Sequence, residues 1–137
     1  MKTFLDSGVF LSAWRGKEAA AAAALALLEA PGRTFYTSKV VKLELLPKPT
    51  HFKQQAEVDF YSAIFARMAG EEPWSAELGA AAFELACRHG LSAADALNMA
   101  AALRQGVDEF VTSEGPKKAL FRVPGIRVQT IQQAAET

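Results

Sequence analysis

Short runs of β-branched and aromatic residues alternate with helix-forming segments along the chain, and this alternation constrains the fold more than any other feature. Residues 2–6 form an apolar run that predicts a strand ending at Asp6. Ser7-Gly8 punctuates it, and residues 9–14 suit a short helix. The alanine-dense stretch 17–29 favours helix, which Pro31-Gly32 stops. Residues 34–37 read as a second strand; Ser38 caps a helix to about Leu46, which Pro47 and Pro49 are expected to end. Over 53–69 the spacing places Tyr61, Ile64, Phe65 and Met68 on one helical stripe. Pro73 breaks that pattern, Ser75 caps a helix closed by His89-Gly90, and Ser92 opens a strongly apolar one ending near Gln105-Gly106. Residues 110–112 and 126–131 are two further strands. The alternation predicts an α/β fold with a mainly parallel sheet, expected to form one domain across residues 1–137.

Half the residues are apolar, enough for a real core at this length. Fifteen basic residues balance fifteen acidic ones, so nucleic acid cannot be held indiscriminately through bulk charge. Cys87 is the single cysteine, which excludes an intramolecular disulfide; its apolar neighbours Ala81, Ala82, Leu85 and Ala86 predict a buried thiol. No stretch is apolar enough to span a bilayer, and the first residues lack a signal-peptide pattern, so the chain is expected to be cytoplasmic.

In a parallel α/β sheet, ligands bind at the carboxyl ends of the strands. Four acids map to that edge. Asp6 ends the first strand, Glu44 lies in the helix after the second, Asp95 is in the first turn of the helix feeding the 110–112 strand, and Glu114 follows that strand. Each also has a local explanation. Asp6 fits a helix cap, a role that contributes about 1 kcal/mol. Glu44 shares the stripe of Val40 and Val41, where a salt bridge would serve as well as a cation. Asp95 completes the capping pattern Ser92-x-x-Asp95, and Glu114 alone reads as a loop acid. The other acids have ordinary expectations: Glu71 and Glu72 on solvated helix faces, Asp108 and Glu109 as a strand lead-in.

Carboxylates gathered in one pocket protonate or bind a hard cation. Oxygen ligands favour Mg²⁺ or Mn²⁺; zinc is disfavoured because His51, His89 and Cys87 lack ligand-spaced partners. No phosphate-cradling glycine loop or nucleophile elbow occurs. Ser7 and Thr112 read as hydroxyls that hold the carboxylates, with Asn98 on the Asp95 face.

The segments FLDSGVFLSAW, SKVVKLELL, LSAADALNMAAAL and VDEFVTSE, in this order, resemble the PIN-domain nucleases, which include VapC-like toxins of bacterial toxin–antitoxin pairs. The resemblance implies a three-layer α/β/α sandwich and an acidic Mg²⁺ or Mn²⁺ site hydrolysing RNA phosphodiesters. It carries the family's acids onto Asp6, Glu44, Asp95 and Glu114 as metal-binding and catalytic residues. Lys39, Lys42, Lys117 and Lys118 then become candidates for guiding the RNA backbone. The implied partners are an RNA substrate and a small antitoxin at the 17–29 helix with Trp14; core packing or a homodimer would account for that face equally. Three positions depart from the pattern: Glu114 replaces an aspartate, Asn98 stands where histidine is common, and Pro116-Lys117 where a further acid often lies. Those departures leave a second reading, a catalytically weakened RNA-binding or scaffold protein. A phosphotransferase with Asp6 as nucleophile is a third, opposed by Gly8 where such enzymes carry a second aspartate.

Overall fold

The computed structural model describes residues 1–132; residues 133–137, the tail of the expected single domain, lie outside the described residues. The strands are β1 (Lys2–Leu5), β2 (Thr34–Ser38), β3 (Gly70–Glu72), β4 (Glu109–Thr112) and β5 (Arg127–Thr130). Between them run α1 (Ser7–Arg15) and α2 (Glu18–Glu29), then α3 (Lys39–Leu45), α4 (Pro47–His51) and α5 (Gln55–Phe65). α6 (Ala76–His89) and α7 (Ala93–Arg104) precede β4, and a short 3₁₀ turn at Ala119–Arg122 precedes β5. The sheet order is β3-β2-β1-β4-β5, and every pairing is parallel. This is the expected α/β/α architecture, with β1 and β4 central.

Successive residues of the central strands (Thr3, Phe4 and Leu5; Glu109, Phe110, Val111 and Thr112) are buried, as they must be where helices cover both faces. Phe4 and Phe110 are register partners, and their rings stack at 5.1 Å. α1 packs on β4, α2 and α3, whereas α7 packs on β2 and β3 and pairs with α6. Phe10 stacks on Phe65 at 4.8 Å and meets Tyr61 edge-on, joining α1 to α5.

As expected, the helix capped by Ser38 ends at Leu45, just before Pro47; Pro47 then opens a separate short helix, α4, from its first turn, where its missing N–H removes no bond. Three expectations are corrected. The stripe expected over 53–69 is α5 alone, ending at Phe65. The next element is β3, invisible as a pattern because Gly70-Glu71-Glu72 has no apolar alternation. Its place depends on close approach to β2: a Cβ on Gly70 would stand 2.7 Å from the Tyr36 ring. Glu71 and Glu72 are therefore strand residues, and Glu72 is buried against Arg104 Nε at 2.7 Å. Finally, Cys87 is exposed. It lies five residues past buried Ala82, roughly 140° around the helix from it, since an α-helix turns once per ~3.6 residues.

Candidate active site

β1 delivers Asp6 to the carboxyl edge, where it caps α1: its Oδ1 accepts from the Ser7 N–H at 2.8 Å. Its other oxygen accepts from the Thr112 hydroxyl at 3.1 Å, and the same hydroxyl accepts from the Glu114 N–H at 3.1 Å. One threonine at the end of β4 thus ties the first acid to the loop bearing the fourth. Gly8 permits this closeness, because a Cβ there would lie 1.9 Å from Ser113 Oγ.

Glu44 and Asp95 come from the helices that follow β2 and precede β4. Glu44 is exposed, although it shares the stripe of buried Val40 and Val41, because in the last turn of α3 that stripe opens onto a surface recess. Its carboxylate accepts from Asn98 Nδ2 at 2.9 Å and from Ser7 Oγ at 3.4 Å. Asn98 is nearly fully buried and its amide oxygen accepts from Ser38 Oγ at 2.7 Å; Ser38 also caps α3. The capping role of Ser38 is legible in the sequence, whereas its bond to Asn98 has no local signature. Asp95 sits in the first turn of α7, its N–H bonded to Ser92 Oγ at 3.2 Å. The capping and site readings of Asp95 are compatible.

The Asp6 carboxyl is pushed up to about 7, chiefly by burial and further by the nearby Glu44 and Asp95 charges, with the Ser7 and Thr112 bonds acting in the lowering direction. Burial also raises Asp95, opposed by Ser92 and the Lys118 ammonium. Glu114 is raised by burial and by the charge of Asp95, and lowered by Lys118. The four acids therefore share one electrostatic neighbourhood. Among the described residues, Glu114 Oε2 is a buried acceptor with no donor. An all-oxygen set with an orphaned acceptor and a carboxyl held near neutrality suits a hard, water-retaining cation. As placed, however, no three His, Cys, Asp or Glu side chains among the described residues are gathered closely enough to clasp one ion. Bound waters would have to complete the coordination.

The lysines differ in what they offer. Lys39 and Lys42 both ion-pair Glu71, at 2.7 and 2.8 Å, so their charge is partly neutralised there. Lys118 is exposed and acts electrostatically on both Asp95 and Glu114; Lys117 is exposed beside it.

The fold is similar to that of VapBC2 from Rickettsia felis bound to a promoter DNA fragment, with a TM-score of 0.71 and 17% identity over 95% of this chain and 98% of that one. A toxin–antitoxin complex from Klebsiella pneumoniae gives 0.70 and 18%, over 96% and 98%. VapC20 of Mycobacterium tuberculosis, a sarcin–ricin loop cleaving toxin, gives 0.65 and 20%, over 82% and 90%. At such identities the likeness is one of fold. No curated protein sequence matches the chain. The PIN-domain family matches residues 3–115, a span that contains all four acids, and the chain belongs to that family.

Proposed function

We propose that this PIN-domain protein is a Mg²⁺- or Mn²⁺-dependent endoribonuclease that hydrolyses RNA phosphodiester bonds and acts as the toxin of a toxin–antitoxin pair. What supports the reading is that Glu44 and Asp95 act electrostatically on Asp6, and Asp95 on Glu114, across the carboxyl edge, and that among the described residues Glu114 Oε2 is buried without a donor. Those four residues would hold the cation. When bound, it lowers the pKa of a water and offsets charge developing on the phosphate. The chain's own groups do the rest. Thr112 fixes the separation of Asp6 from the Glu114 loop, and Asn98 with Ser7 aims Glu44, the most exposed acid, at water in the cleft. Lys118 offers its charge to a backbone phosphate. Single-stranded or looped RNA suits a site bounded by helices, because its backbone can bend in and its bases splay out.

The antitoxin proposal is supported by the solved toxin–antitoxin assemblies of similar fold and by apolar surface at Leu25 and Trp14, which are 40% and 38% exposed. The cytoplasm would be the place of such work, and no helix among the described residues is long and apolar enough to cross a membrane.

The open ligand geometry favours a second reading, a binding module that has lost turnover. One experiment separates the two. Purified protein, Asp6→Ala and Asp95→Ala are incubated with structured and unstructured RNAs in Mn²⁺, Mg²⁺ or EDTA. Metal-dependent cleavage lost in both variants supports the nuclease; RNA binding without cleavage in either metal supports the module.

A further inference from the structure

Beside the acidic edge, where α1, α3, α4 and α5 meet, lies a recess of about 100 Å³ that the acidic site leaves unused. Leu11, Leu45 and Pro49 form its apolar part; Arg15, Lys48, Gln54 and Glu57 form its polar wall. Glu44 stands at the boundary, lining the recess while its carboxylate is bonded to Ser7 and Asn98 on the acidic side. Anything seated in the recess is therefore next to the acidic site.

The wall is preset. Glu57 accepts from the Tyr61 hydroxyl at 2.6 Å, and Tyr61 is fully buried, so the carboxylate is fixed from behind. Gln54 follows Lys53, whose φ of 56° turns the chain between α4 and α5, and its N–H donates to the Pro49 carbonyl at 2.8 Å. The volume falls well below the ~300–1,000 Å³ of pockets that enclose whole small molecules. It suits a single ring system with apolar surface at its face and hydrogen-bonding groups at its edge, which is how proteins hold an unstacked base.

We propose that this recess is a base subsite, taking the base of one nucleotide that flanks the scissile phosphate, and that it is matched to guanine. The inference rests on the ribonuclease reading and deepens it. Guanine places the acceptors N7 and O6 side by side and carries an amine donor at N2. Arg15 and Lys48 answer the acceptors, and Glu57 answers the donor. Adenine would turn its N6 amine toward the cations.

The test maps product ends from a randomised RNA pool cut by the wild type, Arg15→Ala, Lys48→Ala, Glu57→Gln and Arg88→Ala, the last on an exposed face of α6. The wild type should cut at a fixed distance from guanine. Each recess variant should lose about tenfold of that preference, the scale of one good base contact. Arg88→Ala should keep it. Lys48→Ala leaves the Glu57–Tyr61 bond intact, so a folding defect in Glu57→Gln cannot decide the outcome. Identical cut-site profiles in all five proteins would overturn the subsite, and a partner protein would then be the better occupant. A parallel binding measurement in EDTA uses a short single-stranded RNA with guanine or an abasic residue at one position. Guanine-dependent binding that weakens in the recess variants, with no cleavage of the RNA pool in Mg²⁺ or Mn²⁺, supports the subsite and sinks the ribonuclease reading. Cleavage with no base preference does the reverse.

Discussion

Asp6 and Glu109 are both buried acids on the neighbouring central strands, 7% and 1% exposed, and they are solved in opposite ways. Glu109, at the start of β4, ion-pairs Arg33 and accepts from the Thr3 hydroxyl at 2.7 Å. Asp6, at the end of β1, has among the described residues only a hydroxyl and a backbone N–H as donors, and the charged groups that act on it, Glu44 and Asp95, carry its own sign. Burial alone therefore does not mark a site in this molecule. On the reading proposed above, burial without a cationic partner does. Glu109 at the amino end has its counter-ion, whereas Asp6 at the carboxyl end would gain one from a bound cation.

The largest effect expected from this contrast is on cleavage. Asp6→Ala or Asp95→Ala should reduce the metal-dependent rate by about 1,000-fold, because several kcal/mol of charge stabilisation are lost and each ~1.4 kcal/mol is tenfold. Circular dichroism and thermal melting should show the fold retained. Normal cleavage by Asp95→Ala would remove the carboxyl edge as the site. The complementary change, Arg33→Ala, should leave Glu109 buried and uncompensated and cost about 3 kcal/mol in urea unfolding. The folded fraction should keep its cleavage rate. A cost near zero would mean that Glu109 is no more tied to its place than Asp6.

A third effect comes from the raised Asp6 carboxyl. Between the ordinary 3.8 and about 7, the folded protein binds a proton that the unfolded chain has released. The stability this proton confers is fully present below the unfolded value and is lost as pH rises through about 7. In EDTA, Asp6→Asn should therefore be more stable than the wild type at pH 8, by up to about 4 kcal/mol, and should lose that advantage near pH 4. Urea unfolding at the two pH values measures it. Adding Mn²⁺ at pH 8 should narrow the gap by stabilising the wild type alone.

The contrast is only half legible in the amino-acid sequence. Asp6, Asp95 and Glu114 can be placed because each lies at a strand end or a helix start, where local spacing fixes position. Glu44 can be placed along the chain but not in depth, because its stripe says nothing about where the covering layer stops. Glu109 reads as a strand lead-in because its partner Arg33 lies 76 residues away. The Ser38–Asn98–Glu44 chain joins α3 to α7 across the site in the same non-local way. β3 is hidden for a different reason: its three residues become a strand through pairing with β2 and through ion pairs to Lys39, Lys42 and Arg104. Periodicity reports burial faces, and β3 has almost none to report.

Glu71 gives the smallest test, because it stands between the two regimes: a paired acid at the carboxyl edge. Burial alone would raise its carboxyl, but the bonded Lys39 and Lys42 ammonium groups more than offset that and hold it below the usual range. A depressed carboxyl contributes stability above its unfolded value and loses it as pH falls through the folded one. Glu71→Gln should accordingly cost no more than about 1 kcal/mol at pH 7, since both lysines are partly solvated, and the cost should vanish in acid. The same change frees two positive charges beside the acidic edge, so RNA binding at low salt should tighten and its salt dependence should steepen. Weaker binding instead would mean that the Glu71 pair positions the lysines for RNA, and that a paired acid at this edge serves the site as directly as the unpaired ones.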